Sequence, residues 1–396
     1  MKTRLFFITM LALIGLSAHA QWQTTNGPFS GGIVQTLCSN GTNIFCGTQS
    51  GGAFIDNGTS WSAVNTGLVG SDVSCITNKG PVLYCTGGNG INKVYTSTNN
   101  GSNWDSINTW LNNAAQNILV YGRFLVAGTW GGATGGIFYS PNNGGNWAPI
   151  VTGWGNGGVN GVVVDTAIDS TIIIACVYGG AEVTHDDGNI WTAQNFLGGY
   201  TSKCILRSGS NVFIGTELGV YLTQDYGVTF SAVNSSMPGN NVVYSLVVDG
   251  SNIFAGSDSG VYVTSNNGLL WTAVNTGLTD RAVHSLATDG TNLYAGTATQ
   301  GVWKRALSQM VSGINEVSNK NGTTIYPNPS NGAYTVESSA EISRIEIMNV
   351  LGEKIYSSNI NSEKAMIDLT GEPKGMYFYK IVSKDGVIST GKLIVL

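Results

Sequence analysis

Three sets of side chains in this sequence have the makings of a site. Glu217 and Asp258 stand in matching short segments between apolar runs, with Asp280 and Asp72 as further acids in the same pattern. Two carboxylates facing each other across roughly 5–9.5 Å are what hydrolysis of a glycosidic bond requires, one as acid and the other as base or nucleophile. Trp110, Trp130 and Trp154 form a second set, with Gly-rich flanks that let a ligand come close. Exposed aromatic faces of this kind suit sugar rings or the apolar side chains of a partner. The third set is Gln35, Ser74, Gln116, Asn160, Lys203, Tyr244 and His284, each a polar residue bracketed by small or apolar neighbours. Other chemistries find no support. No Ser/His/Asp order or phosphate loop occurs, no Cys/His spacing suits a metal, and three histidines (His19, His185, His284) are too few for a metal cluster. No cofactor is expected.

The elements that must position these sets follow from a periodic tryptophan. Trp22, Trp61, Trp104, Trp147, Trp191, Phe230 and Trp271 are separated by 39, 43, 43, 44, 39 and 41 residues, and such a period means an array of one supersecondary unit. Within each unit, apolar runs of four to six residues are broken by Gly and Asn, as at 252–256, 260–264 and 266–271. These are short strands joined by tight turns, and four strands per repeat of about 40 residues is the pattern of a β-propeller blade. A last unit is split: 292–296 and 301–303 supply two middle strands, but no turn or Trp follows them. The missing strand lies at the other end of the chain, where 21–26 matches 270–275. Pairing the two closes the ring and removes the open sheet edge. The expected fold is therefore all-β: a seven-bladed propeller over residues 21–307, closed by the N-terminal strand in the last blade.

Six repeats carry one turn: Asp56-x-Gly58-x-x-Trp61, Asn99-x-Gly101-x-x-Trp104, Asn142-x-Gly144-x-x-Trp147, Asp186-x-Gly188-x-x-Trp191, Asp225-x-Gly227-x-x-Phe230 and Asn266-x-Gly268-x-x-Trp271. This resembles the Asp-box, or BNR repeat, of sialidase-like, sortilin-like and photosystem-II-assembly-factor-like propellers, and the match covers residues 22–305. Asp or Asn bonds the backbone two residues on, Gly takes positive φ, and the aromatic packs against neighbouring strands, so the boxes read as architecture. The resemblance implies arginines for a sialidase, yet the propeller holds only Arg123, Arg207, Arg281 and Arg305, and no Arg-Ile-Pro segment occurs near its start. Seven blades also differ from the sialidase six. In such a propeller the loops entering the innermost strand and those between second and third strands share one face, opposite the boxes. That rule puts the three loop tryptophans, Glu217 and Asp258 on one face, with the seven polar residues ringing the mouth of the central channel. Asp280 reads as a partner of Arg281, and His185, inside a box, as a surface residue.

Residues 1–20 read as a signal peptide: Lys2 and Arg4 precede the apolar run 5–16, and Ala18-His19-Ala20 suits cleavage. The run is too short to span a bilayer, and no later segment approaches 18 uninterrupted apolar residues. A chain starting at Gln21 has 16 Lys+Arg against 23 Asp+Glu, a net charge of −7, which argues against nucleic acid or anionic membrane as partner. Six cysteines in an exported protein permit disulfides. Cys38–Cys46 and Cys75–Cys85 each flank a hairpin turn and are candidate pairs, with packed free thiols as the equal alternative because other repeats hold Ala, Ser or Val there. Cys176 and Cys204, in neighbouring repeats, are a less favoured pair.

Periodicity stops after Leu307. Residues 308–322 read as a polar linker, and 323–396 as a small Ig-like β-sandwich with strands near 345–349, 354–357, 365–369, 375–382 and 391–396. Tyr-Pro-Asn-Pro at 326–329, Asn-Val-Leu-Gly at 349–352, Gly-Met-Tyr-Phe-Tyr-Lys at 375–380 and the final Gly-Lys-Leu-Ile-Val-Leu resemble the C-terminal sorting domain of the type IX secretion system of Bacteroidetes. The resemblance implies recognition of 323–396 by that machinery at the outer membrane, then removal of the domain and release of the protein or its attachment at the surface. The expectation is a secreted or outer-membrane-surface binding module for an extracellular glycan or protein, working through Trp110, Trp130, Trp154, Lys203, Tyr244 and His284. The alternative is a glycan-active enzyme with Glu217 and Asp258 as its catalytic carboxylates.

Overall fold

Apolar runs separated by Gly and Asn turns fold as antiparallel meanders. In the sixth repeat the first strand, Val243–Asp249, turns tightly onto Asn252–Ser257, which pairs with Gly260–Thr264 and then Thr272–Ala273. Gly250, at φ +58°, takes the left-handed conformation that this tight turn needs. The computed structural model describes residues 21–28, 32–88, 93–107, 114–130, 134–152, 158–165, 172–234, 236–238, 241–310, 323–328, 330–349, 352–384 and 388–395. Among these, seven sheets have four strands each, and the chain divides into two compact units between Val311 and Ser312.

Six sheets run in chain order within 34–63, 73–106, 114–152, 161–194, 202–232 and 243–273, here blades 1 to 6. Blade 7 is composite. Val283–Thr288, Asn292–Thr297 and Val302–Ala306 are completed by Gln23–Thr24, which pairs Gln23 with Lys304 and Thr24 with Trp303. First strands contact one another from blade to blade, and Val283–Thr288 meets Val34–Ser39, so the ring closes. Second strands are walled in by the adjacent blades, and Ile172–Val177 is buried at every position.

The periodic tryptophans staple each blade to the one before. The indole N–H of Trp104 donates to Val64 O at 2.8 Å, that of Trp147 to Ile107 O at 3.1 Å, that of Trp271 to Val233 O at 2.6 Å and that of Trp22 to Val274 O at 2.6 Å. Trp61 bonds the Thr25 hydroxyl, joining blade 1 to blade 7. Trp191 departs from the pattern and donates to Gly188 O of its own turn. Phe230, with no N–H, stacks on Phe196 at 4.6 Å instead. Where blade 7 lacks the turn, buried Arg305 adds a second donor to Val274 O and another to Gln309 O. Leu307 and Met310 are buried in the cluster around Trp22, so packing continues past Leu307.

Five of the six turns share a fuller geometry than the Asx residue alone explains. Ser97 Oγ donates to Asn99 Oδ1 and accepts the Gly101 N–H, while Asn99 Oδ1 accepts the Asn103 N–H. Ser140, Thr184, Thr223 and Thr264 repeat this. The residue between Asx and Gly is also left-handed, at φ +54° to +60° for Asn100, Asn143, Asp187, Tyr226 and Asn267.

The six cysteines are free thiols, the alternative to the candidate pairs. Leu37 lies opposite Cys46 and Cys38 opposite Phe45, so Cys38 and Cys46 point to opposite faces of their hairpin. Ile76 opposite Cys85 and Cys75 opposite Thr86 separate the second pair in the same way. Even spacing along the chain does not put two residues on one face across a hairpin whose pairing sums to an odd number. Cys176 and Cys204 come close, but the Cys176 thiol donates to the Cys204 carbonyl at 3.4 Å.

In the second unit, Ala333–Met348 is the central strand and pairs with Lys354–Asp368 and Gly375–Ser383, while Ile388–Val395 extends the sheet. Pairing breaks between Glu337 and Ile342, and the two halves of the bent sheet pack Tyr334, Val336 and Ile367 against Ile345, Ile347, Tyr377, Ile381 and Leu393. The two short strands expected near 354–357 and 365–369 are one. Residues 359–364, polar enough to read as a turn, form the exposed middle of an edge strand.

Candidate functional site

Six inner strands break their ladder at one register. Pairing of first and second strands skips Gln35, Ser74, Gln116, Lys203, Tyr244 and His284. Such an extra residue bulges out and its side chain is re-aimed, a device found at the rims of barrels and beside binding sites. Asn160 takes the corresponding place just ahead of Gly161–Asp165, its N–H donating to Cys176 O. The polar register read from the sequence is thus a ring of bulges, at one end of the seven inner strands.

The end of each second strand supplies a neighbouring ring. Aligned by the pairings, it consists of Gln49, Gly88, Trp130, Tyr178, Glu217, Asp258 and Ala298. Its aromatic members sit side by side in blades 3 and 4, and its acidic members in blades 5 and 6. Trp130 and Tyr178 are 57% and 58% exposed, and together they offer solvent two aromatic faces on adjacent blades. With Gln116, Asn160 and Lys203 of the bulge ring, Gly158 and Thr201, they line a cavity of about 430 Å³. Gly158 is there for space: a Cβ would lie 2.5 Å from Trp130 Cδ1.

Charges at this mouth are tied to one another. Lys203 Nζ and Glu217 Oε1 are 2.8 Å apart, and the other Glu217 oxygen accepts the Thr201 N–H at 3.1 Å. The Lys203 hydrogen bond, against a smaller effect of burial, holds the Glu217 carboxyl below its usual range. Tyr244 stacks on His284 with centroids 4.2 Å apart. Burial, and then Asp258, push the Tyr244 hydroxyl up to about 12, while burial lowers His284 against the pull of Asp258 and Asp280. Gln35 donates to Asp72 at 3.1 Å and Ser74 to the other Asp72 oxygen at 3.4 Å; burial nevertheless raises that carboxyl. Asp280 does not need Arg281 as partner. It accepts the backbone N–H groups of Ala282, Thr299 and Gln300 and the Thr299 hydroxyl, and so ties the loop before blade 7's first strand to the loop after its second.

Of the residues expected at a site, the structure gathers Trp130 and Lys203 in the cavity and places Tyr244, His284, Glu217 and Asp258 around the same mouth. Trp110 and Trp154 lie outside the described residues. Tyr178 and Thr201 were not anticipated. Tyr178 was legible in principle, as the residue one blade on from Trp130 in the second-strand register. His185 is exposed at the opposite end, its Nε2 3.0 Å from Tyr226 O. Among the described residues no group of three or more His, Cys, Asp and Glu is arranged to hold a metal ion, and no helix is long and apolar enough to cross a membrane.

Similarity to solved structures is broad and distant. The GH74 xyloglucanase of Xanthomonas campestris superposes with a TM-score of 0.59 at 16% identity, over 82% of this chain and 60% of that enzyme. The GH74 enzyme of Niastella koreensis gives 0.55 at 16% identity, over 80% of this chain and 59% of that one. YCF48 of Cyanidioschyzon merolae gives 0.54 at 15% identity, over 72% of this chain and 98% of that one. The chain thus spans about three fifths of the two GH74 enzymes, and the likeness is one of fold. No curated protein sequence matches it. Residues 324–396 match the family described as the secretion system C-terminal sorting domain. The protein is accordingly a β-propeller that carries a type IX sorting domain and is exported to the cell surface or beyond.

Proposed function

We propose that the propeller is a carbohydrate-binding module, presented outside the cell and holding its ligand in the cleft of Trp130 and Tyr178. Residues 1–20 serve as its removable export signal, and the six Asx turns as Asp-boxes that keep the blades in register. One observation carries the reading: two large aromatics stand exposed at the same register of adjacent blades, beside uncharged hydrogen-bonding groups at a channel mouth. Flat apolar faces flanked by amides and hydroxyls match the two kinds of surface a sugar ring offers. Binding is favoured over hydrolysis because Lys203 and the Thr201 N–H already hold the Glu217 carboxylate, which unsuits it for the acid's role in a carboxylate pair.

The test is a glycan array with the full chain, followed by calorimetry on any hit. Trp130→Ala and Tyr178→Ala should each weaken binding at least about tenfold, the usual loss for an anchoring aromatic. Absence of any glycan hit, or variants that bind as wild type does, would remove the proposal. Turnover of a hit that vanishes in Glu217→Gln would favour the enzyme instead.

A further inference from the structure

The cleft's charge pattern says which glycans it takes. Lys203 is the one cation lining the cavity among the described residues, and Glu217, 2.8 Å away, already neutralises it. The mouth beyond carries Asp258 in the same ring as Glu217, Asp72 beside Gln35, and Asp280 next to Arg281 on the loop of blade 7. What the lining does offer is neutral. The Gln116 side-chain amide, the Thr201 hydroxyl and the Tyr178 hydroxyl have no hydrogen-bond partner among the described residues, and all three border the cavity.

We infer that the cleft selects uncharged glycans and rejects those bearing uronate or sulfate, with Glu217 as the specificity-determining residue. The inference rests on the carbohydrate-binding reading above. Among the described residues that line the cavity, a carboxylate or sulfate meets no cation except Lys203, which Glu217 already holds, and it enters past Asp258, a like-charge cost that serves to exclude the wrong ligand. A neutral sugar instead brings hydroxyls that both donate and accept to Gln116, Thr201 and Tyr178, while its apolar ring face lies on Trp130. Glu217 acts through Lys203: it occupies the ammonium that an acidic sugar would otherwise claim.

The full chain should be screened against neutral glycans (β-glucans, xyloglucan, mannan, galactan) and acidic ones (polygalacturonate, alginate, chondroitin sulfate, heparin). Every wild-type hit should be neutral. Glu217→Gln, with folding checked by circular dichroism, frees Lys203 to make a charge-assisted bond and should raise the ratio of acidic to neutral affinity at least about tenfold. Lys203→Met, with Glu217 retained, should leave acidic members unbound. Wild-type binding to acidic members as tight as to neutral ones overturns the selectivity while the binding site survives. An unchanged ratio in Glu217→Gln overturns the role of Glu217. No hit of either kind overturns the carbohydrate reading itself, and the selectivity with it.

Discussion

The stapling tryptophans are not equivalent, and replacing two of them by Phe measures the difference. Trp104 is 2% exposed and its N–H crosses to Val64 O, in the strand end of the preceding blade, at 2.8 Å. Trp104→Phe keeps most of the apolar contact but strands that carbonyl in a partly buried interface. An unsatisfied acceptor costs about 1–3 kcal/mol, and the site's partial burial places the expected loss near 2 kcal/mol. Trp191 donates instead to Gly188 O, on the exposed turn of its own blade, where water can replace it. Trp191→Phe should therefore cost about 0.5 kcal/mol or less. Nature has made a similar exchange in blade 5, where Phe230 stands in the Trp position. Urea unfolding followed by far-ultraviolet circular dichroism gives both values, since fluorescence would change with the mutation itself. Equal slopes in wild type and variants are required before the midpoints are compared. Equal losses for the two variants, or a larger one for Trp191→Phe, would refute the claim that the tryptophan N–H locks blade to blade.

Gly158→Ala should leave stability within about 0.5 kcal/mol, because exposed Trp130 can swing aside from the new methyl, yet weaken glycan binding as much as Trp130→Ala does. Thermal melting and calorimetry separate the two effects. Thiol titration without reductant should find six reactive cysteines after unfolding and few before it, since all are free and burial pushes the thiols up, Cys38 and Cys204 to about 12. Two or four missing thiols would restore the disulfides. Acid should loosen the turns that use Asp before those that use Asn. The Ile190 N–H holds the Asp186 carboxyl below its usual range, and the Thr229 hydroxyl does the same for Asp225. A depressed folded value means stability that is present above the unfolded value of about 3.9 and lost as pH falls through the folded one. Asp186→Asn combined with Asp225→Asn should flatten the fall in unfolding midpoint between pH 5 and 2, and an unchanged slope would contradict this.

Much of the molecule is written in local pattern. The tryptophan period, the Asx-x-Gly turns and the match of 21–26 to 270–275 determine seven blades and their closing strand, because each repeat uses the same strand lengths and the same turn chemistry. The motifs of the last seventy residues mark the sorting domain in the same local way. The polar register from Gln35 to His284 was also visible, although nothing in the sequence says that six of its seven members bulge out of their ladders. What the sequence left open are relations between strands and between blades. Hairpin register sends Cys38 and Cys46 to opposite faces, a fact their spacing conceals. Tyr178 becomes a partner of Trp130 only when the ring sets blade 4 beside blade 3. Glu217 reads as one of two candidate catalytic carboxylates, and only the structure brings Lys203, fourteen residues earlier and across a hairpin, within 2.8 Å of it. Spacing along a chain determines which elements form, but only the closed ring decides which side chains meet, because contact energy falls off over a few ångströms that chain separation does not measure.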